Sequence, residues 1–150
     1  MIIDKEVYMR VLIDADGCPV VKIAMDICNK NKIEMIVICD TSHVFNLDGI
    51  QTIMVDKGAD SADFALVNII QNGDVVVTQD YGLAAMCLSR KAIVLNQNGM
   101  FYNDSNIDSL LLARHTAKKI RNAGGRLKGN PKRTQEQNEE FAKALNSLIK

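Results

Sequence analysis

Short apolar runs rich in β-branched residues alternate along this sequence with segments of helical periodicity, and this alternation strongly constrains the fold. The runs at 33–39 and 75–77 are almost continuously apolar, which is typical of strands buried on both faces. The segment 59–71 instead carries apolar residues at helical spacing and is followed by Asn72-Gly73, a pair that ends helices. Alternating strands and helices predict a mostly parallel sheet covered by helices on both faces.

The whole chain can be divided into elements by the same criteria. Strands are predicted at 9–13, 33–39, 50–55, 75–77 and 92–95, and helices at 19–30, 59–71, 81–90, 107–122 and 134–149. The last helix is supported by Thr134 and Gln137, whose spacing fits a capping box. We therefore expect one α/β domain over residues 1–150, with a core at about 9–122, a basic Gly-rich segment at 123–133 and a C-terminal helix at 134–149.

Composition agrees with this fold and excludes several classes of protein. Of the 150 residues, 47% are hydrophobic and 24% charged, which is typical of globular rather than disordered chains. The formal net charge is zero, so no global field favours nucleic acid or membrane. No apolar run approaches the roughly 20 residues that span a bilayer, and the first residues lack the features of a signal peptide. We expect a cytoplasmic protein without membrane contact, whose four irregularly spaced cysteines remain reduced thiols.

Aspartates follow two of the predicted strands at the point where each strand ends. Asp14 and Asp16 come directly after the run at 9–13, and the two-residue period of an extended chain points both carboxylates the same way. Asp80 follows the run at 75–77. Because the carboxyl ends of parallel strands meet at one edge of the sheet, where α/β proteins bind ligands, we expect these three carboxylates to converge.

Two further aspartates open the central helix. Asp60 and Asp63 lie three residues apart, on one face of its first turn, and could point toward the same edge. A cluster that offers only oxygen atoms suits Mg²⁺ or Mn²⁺ rather than zinc. Each aspartate also has a simpler explanation, since Asp60 or Asp63 could cap its helix and Asp16 could shape its loop. The convergence of three separate segments favours a shared metal site.

Three motifs in the sequence resemble those of a bacterial protein family. They are Ile13-Asp14-Ala15-Asp16-Gly17-Cys18-Pro19-Val20, Lys57-Gly58-Ala59-Asp60-Ser61-Ala62-Asp63 and Val77-Thr78-Gln79-Asp80-Tyr81-Gly82-Leu83-Ala84. With them the chain resembles the YaiI/YqxD family from Met9 nearly to the C-terminus. That family is similar to PIN-like domains, many of which are metal-dependent ribonucleases. The resemblance implies that Asp14 and Asp80 are central metal ligands and catalytic residues, with Asp16, Asp60 and Asp63 as further metal partners.

A basic segment offers a surface for an anionic substrate. From Ser109 to Gln135 there is no acidic residue, whereas eight basic residues occur: Arg114, Lys118, Lys119, Arg121, Arg126, Lys128, Lys132 and Arg133. Such a segment can follow a phosphate backbone, and we interpret Lys118, Lys119, Arg121, Arg126 and Lys128 as candidate RNA contacts. The alternative is a solvated basic face that balances the acidic remainder of the chain.

Three functions are compatible with these residues. The first is a nuclease-like hydrolase that uses Mg²⁺ or Mn²⁺ to activate water against RNA phosphodiesters. The second is a haloacid-dehalogenase-like phosphatase with Asp14 as nucleophile, for which Thr78 is a candidate phosphate contact but no convincing later lysine is present. The third is a non-catalytic RNA-binding or regulatory domain. Near the same edge, Thr78, Gln79 and Asn96 could orient phosphate or water in any of them.

Overall fold

The apolar runs form a mostly parallel sheet. The computed structural model describes residues 9–40, 50–55, 61–124 and 132–149. Its strands are β1 (Arg10–Asp14), β2 (Glu34–Asp40), β3 (Gln51–Val55), β4 (Val75–Val77), β5 (Ile93–Leu95) and β6 (Phe101–Tyr102). In the described residues the sheet order is β3-β2-β1-β4-β5-β6, and every neighbouring pair is parallel except β5 and β6. The predicted α/β fold with a mostly parallel sheet is confirmed.

Helices cover both faces of this sheet. They are α1 (Val21–Lys30), α2 (Ser61–Ile69), α3 (Tyr81–Ser89), α4 (Ile107–Asn122) and α5 (Gln135–Ser147). One apolar cluster contains Val11 and Ile13 of β1 together with buried residues of α1 and α5, and the other contains Leu12 with residues of α2, α3 and α4. The two-residue period of β1 therefore supplies both layers of the core, since successive side chains point to opposite faces.

Helix α5 completes one of these two layers. Its Phe141 and Leu145 are fully buried in the cluster that contains α1 and β1. The predicted capping box is confirmed, because Thr134 Oγ1 accepts from Gln137 N and Gln137 Oε1 accepts from Thr134 N. The C-terminal helix is thus an integral part of the α/β domain.

The strand order creates a switch point between β1 and β4. From β1 the chain proceeds to β2 and β3 on one side, and then crosses to β4 and β5 on the other. In register, Ile13 of β1 lies opposite Val77 of β4, so the residues that follow them emerge side by side. Open α/β sheets bind ligands in the crevice at the carboxyl ends of such neighbouring strands.

A buried ion pair lies at the amino ends of the same two strands. Arg10 Nε donates to Asp74 Oδ1 at 3.0 Å, and Arg10 Nη2 donates to Asp74 Oδ2 and to the carbonyl of Ile69. Asp74 is 2% exposed and also accepts from the backbone N–H of Gln71. We call this the amino edge, defined by Arg10 and Asp74; its charges are satisfied within the fold.

Some element boundaries differ from those predicted. The strand β6, Phe101–Tyr102, was not predicted; it runs antiparallel to β5 after a tight turn at Asn96–Met100. The first helix begins at Val21, so Pro19 lies before the helix and not at its first position. In the described part of the chain, no helix has the length and hydrophobicity needed to cross a bilayer.

Candidate functional site at the carboxyl edge of the sheet

One buried threonine hydroxyl links the ends of β1 and β4. Asp14 is the last residue of β1, and its Oδ2 accepts from Thr78 Oγ1 at 3.1 Å. The same oxygen atom of Thr78 accepts from the backbone N–H of Asp80 at 3.0 Å. Thr78 is 2% exposed, so this bridge is shielded from water. Thr78 therefore links the Asp14 carboxylate to the Asp80 backbone, while the expected convergence of the carboxylates stays a prediction. We call this edge, defined by Asp14, Thr78 and Asp80, the carboxyl edge.

Asp80 has a structural role that the sequence did not reveal. It is the N-cap of α3, and its Oδ1 accepts from the backbone N–H groups of Gly82 at 2.9 Å and Leu83 at 3.1 Å. Arg114 Nη1 of α4 lies 3.3 Å from the same oxygen, in a solvent-accessible ion pair. Aspartate is a favoured N-cap because its carboxylate satisfies otherwise unpaired N–H groups at the helix start. One carboxylate oxygen of Asp80 is thus committed to the fold.

Asp16 lies in a turn and not in an extended strand. β1 ends at Asp14, and the N–H of Cys18 donates to the carbonyl of Ala15 at 3.1 Å, which closes a turn. Gly17 occupies its third position with a φ of +69°, a conformation that glycine adopts without strain. The turn geometry, rather than strand alternation, therefore sets the direction of the Asp16 carboxylate.

The remaining two predicted ligands are not tested by the structure. Asp60 lies outside the described residues, and Asp63 belongs to α2 but its side chain lies outside them. Among the residues that are described, no three side chains of His, Cys, Asp or Glu form a group that could hold a metal ion. The five-carboxylate cluster therefore remains a prediction.

The thiol of Cys18 lies within the electrostatic influence of both Asp14 and Arg133. The pKa of its thiol is raised above the ordinary value, chiefly by burial and in part by the nearby negative charge of Asp14, while the positive charge of Arg133 acts in the opposite direction. The protonated thiol is thus favoured over the thiolate. The cysteines at 18, 28, 39 and 87 are all free, in agreement with the expected reduced thiols.

A polar cleft of about 310 Å³ opens beside these carboxylates. Five of the eight lining residues carry side-chain amides, and the others are two tyrosines and one arginine: Gln79, Asn96, Gln97, Asn98, Gln137, Tyr81, Tyr102 and Arg133. Gln79 and Tyr81 flank Asp80 in sequence, which places the cleft directly next to the carboxyl edge. Gln79 Nε2 also donates to the carbonyl of Gly17 at 3.1 Å and so ties the two strand ends together.

The turn at Asn96–Met100 shapes one side of the cleft. Asn96 Oδ1 accepts from the backbone N–H groups of Asn98 and Met100, both at 2.9 Å. Gly99 has a φ of +84°, and a Cβ atom there would lie 2.6 Å from the carbonyl oxygen of Glu140 in α5. The turn therefore packs against the α5 backbone with no room for a side chain at Gly99.

Two tyrosines connect the cleft to Thr78. The rings of Tyr81 and Tyr102 meet edge to face, with their centroids 6.0 Å apart. Tyr102 Oη donates to the carbonyl of Thr78 at 3.2 Å, and burial raises the pKa of this phenol well above its ordinary value, with smaller contributions from Tyr81 and Asp80. The hydroxyl of Tyr102 therefore stays protonated and acts as a donor that holds the end of β4.

Three of the five residues predicted to contact RNA lie in the described part of the chain. Lys118, Lys119 and Arg121 are exposed on the second half of α4, whose Arg114 reaches Asp80. Arg126 and Lys128 lie outside the described residues. The residues that sequence reasoning missed are the cleft residues Gln97, Asn98 and Gln137, together with the cleft position of Arg133. The cleft residues Gln79 and Asn96 were named from the sequence as candidates to orient phosphate or water.

The fold and site define a doubly wound α/β protein with carboxylates and a polar cleft at its switch point. A family model described as "Uncharacterized BCR, YaiI/YqxD family" matches residues 12–150, and the chain belongs to this family. A protein from Ruminiclostridium cellulolyticum named UPF0178 protein is 53% identical to it over 95% of this chain and 93% of that protein. UPF0178 proteins from Exiguobacterium sibiricum and Natranaerobius thermophilus are 46% and 40% identical, each over 94% of this chain and 96% of its own length. No solved structure gives a significant match.

Proposed function

We propose that this protein is a divalent-metal-dependent, nuclease-like hydrolase that cleaves RNA phosphodiesters, with Asp14 and Asp80 as the central ligands of Mg²⁺ or Mn²⁺. The observation that carries the proposal is the pair of hydrogen bonds made by the Thr78 hydroxyl. They link the Asp14 carboxylate to the Asp80 backbone at the switch point between β1 and β4. The resemblance to PIN-like domains, whose members are often metal-dependent ribonucleases, supports the same conclusion.

The donor chemistry at the carboxyl edge fits such an ion. Asp80 Oδ1 accepts three hydrogen bonds, whereas Asp80 Oδ2 accepts none from the described residues. Mg²⁺ is commonly held by one or two carboxylates and completes its coordination with waters and substrate phosphates. Asp14 and Asp80 therefore suffice in number, and Asp16, Asp60 and Asp63 are proposed as further direct or water-mediated partners.

The chain's own residues would organise the reaction. Thr78 fixes one Asp14 oxygen by a hydrogen bond, which limits the rotation of that carboxylate. Arg114 offsets part of the negative charge at Asp80. A bound ion would supply Lewis acidity that activates water for attack on phosphorus and stabilises the leaving oxygen. No nucleophilic side chain is needed for this chemistry.

The basic residues of α4 support RNA as the substrate class. Lys118, Lys119 and Arg121 are exposed on the helix that also presents Arg114 to Asp80. An anionic backbone lying along α4 would thus reach the carboxyl edge. Lysine and arginine contacts to phosphates make binding fall steeply with salt, so RNA affinity should decrease as ionic strength rises.

Thermal unfolding with and without Mn²⁺ or Mg²⁺ tests the metal site without assuming a substrate. Metal at about a hundred times its dissociation constant should stabilise the wild-type protein by about 2.7 kcal/mol. Asp14→Asn and Asp80→Asn should lose this stabilisation. Asp26→Asn makes the same chemical change at an exposed position on α1 and should keep it. Equal stabilisation of all four proteins, or of none, contradicts the proposed site.

Cleavage of unstructured RNA tests the activity itself. The wild-type protein with Mn²⁺ should produce fragments, and addition of EDTA or Asp14→Asn should abolish them. Asp26→Asn again serves as the matched control. RNA binding without any metal-dependent fragments would contradict the hydrolase and favour the non-catalytic RNA-binding domain.

A further inference from the structure

Arg133 holds an unusual place at the mouth of the polar cleft. Its Nε donates to Asn138 Oδ1 at 2.6 Å, its Nη1 donates to Asn98 Oδ1, and its Nη2 donates to the carbonyl of Gln97 at 2.6 Å. These three bonds fix the guanidinium between α5 and the turn at Asn96–Met100. Arginine has five N–H donors, and the other two find no acceptor in the described part of the chain.

All three acceptors of Arg133 are neutral amide oxygens. Among the described residues, Arg133 forms no ion pair with a carboxylate. Its side chain is partly buried, and this burial lowers the pKa of the guanidinium from its ordinary value. A partly buried cation without a counter-charge is costly, so the cleft contains a fixed positive charge that an anionic ligand would compensate.

The amide groups around Arg133 offer both donors and acceptors. Gln137 uses Oε1 in the capping box, while its Nε2 donates to no described residue. Gln79 uses Nε2 to hold Gly17, while its Oε1 accepts no hydrogen bond from the described residues. Alternating donors and acceptors of this kind match the edge of a nucleobase, which asparagine and glutamine side chains bind in pairs of hydrogen bonds.

Gln97 carries an unsatisfied atom at the same place. Its Oε1 is buried and has no hydrogen-bond partner among the described residues. A buried oxygen that accepts no hydrogen bond lowers the stability of the protein. A ligand with an N–H or O–H group would restore that stability by donating to this oxygen once the Gln97 carboxamide turns toward it. The volume of about 310 Å³ lies at the lower end of the range for small-molecule sites, which suits one nucleotide.

We propose that this cleft binds a nucleoside monophosphate, with the phosphate at Arg133 and the base against the amides of Gln79 and Gln137. The site is separate from metal-dependent cleavage and requires no metal ion. It gives the protein a small-molecule ligand next to the carboxyl edge, in addition to the proposed polymer substrate. The base stays unassigned, because each of the four RNA bases presents donors and acceptors side by side.

Isothermal titration of the metal-free protein in EDTA with UMP, CMP, AMP and GMP tests this proposal. At least one of the four should bind, and its nucleoside, ribose 5-phosphate and inorganic phosphate should each bind at least tenfold more weakly than that nucleotide. Because EDTA removes divalent metal, the result does not depend on the proposed hydrolase. The metal and RNA experiments test the hydrolase, whereas this titration tests the nucleotide site, so either proposal can fail while the other stands.

Asn98→Asp is the most informative variant. It keeps an oxygen acceptor for Arg133 Nη1, but it replaces the neutral amide with a carboxylate that neutralises the charge of Arg133. The variant should fold with an unchanged or higher melting temperature and bind the nucleotide at least tenfold more weakly. Arg133→Gln should show the same loss of affinity, although it can also loosen the turn. Asn68→Asp makes the same change in net charge on the exposed surface of α2 and should leave binding unchanged.

Several outcomes would overturn the proposal. Absence of binding by all four nucleoside monophosphates excludes a nucleotide site. Equal binding of ribose 5-phosphate shows that the base is not recognised, and equal binding of inorganic phosphate reduces the cleft to an anion site. Wild-type affinity in the folded Asn98→Asp variant shows that the Arg133 charge is not used.

Discussion

The two edges of the β1–β4 pair differ in the groups that surround their charged side chains. At the amino edge, Arg10 and Asp74 pair with each other, and Asp74 is 2% exposed. At the carboxyl edge, the hydroxyl of Thr78 donates to Asp14, and Asp80 forms a solvent-accessible ion pair with Arg114. The cation of the cleft, Arg133, is held by amide oxygens. The two buried charges of the amino edge satisfy each other within the fold, whereas a cation held by neutral groups, such as Arg133, keeps its electrostatic potential for a ligand. The amino edge is thus suited to stability and the carboxyl edge to binding.

The largest expected effect lies at the amino edge. Asp74→Ala should lower the free energy of unfolding by about 3–5 kcal/mol, because it leaves Arg10 partly buried without its counter-charge and also removes the acceptor for the Gln71 N–H. Urea unfolding of the variant and the wild type measures this difference. A loss below about 1 kcal/mol would show that the ion pair is not a main support of the fold, and the contrast between the edges would fail.

Two glycines, one at each edge, allow the cost of a steric clash to be distinguished from the cost of a left-handed backbone. Gly73, beside Asp74, has a φ of +89° and open space around its missing side chain, whereas Gly99 has a φ of +84° and faces the α5 backbone. Gly73→Ala should cost about 1–2 kcal/mol from the left-handed conformation alone. Gly99→Ala should cost about 1–3 kcal/mol more, because its Cβ clashes with the Glu140 carbonyl.

Chemical denaturation of both glycine variants checks this order. Nucleotide titration of the Gly99 variant sharpens the comparison, since displacement of the turn at Asn96–Met100 should also weaken binding in the cleft. Equal costs for the two variants would mean that the turn moves away from α5 without penalty.

The smallest expected effect separates the two roles of Asp80. Asp80→Ala removes the N-cap of α3 and should destabilise the protein by about 1 kcal/mol, whereas Asp80→Asn retains a favoured cap and should cost only a few tenths. Both variants should lose the stabilisation by Mn²⁺. If Asp80→Asn keeps the stabilisation by Mn²⁺, the Asp80 carboxylate caps α3 and does not bind the metal. The charged residues of both edges would then stabilise the fold.

The fold could largely be predicted because its strands are buried on both faces. Val75–Val77 and Glu34–Asp40 appear in the sequence as nearly continuous apolar runs, and the helices between them have clear ends. The strand Phe101–Tyr102 was missed because two residues carry no periodicity. Its pairing with β5 depends on the turn at Asn96–Met100, where one asparagine side chain organises the backbone.

The site could be predicted only where strand ends define it. Asp14 and Asp80 follow apolar runs, so their position at neighbouring strand ends was predictable from the parallel sheet alone. The cleft was not, because Arg133 and Asn98 are 35 positions apart in sequence and meet only when α5 packs on the sheet. In the sequence, Arg133 was one basic residue among eight. The neutral environment that distinguishes it is a property of the tertiary structure.

The burial of α5 in the core has a consequence for how the protein is made. Phe141 and Leu145 fill the cluster that already contains Val11, and the arginine of the cleft immediately precedes their helix. During synthesis from the N-terminus, β1 and α1 are therefore produced long before the helix that covers them. The face of the nascent sheet that packs against α1 stays only partly covered until α5 has been translated. The cleft is formed in that same late step, so a chain interrupted before α5 would lack both a closed core and a place for a ligand.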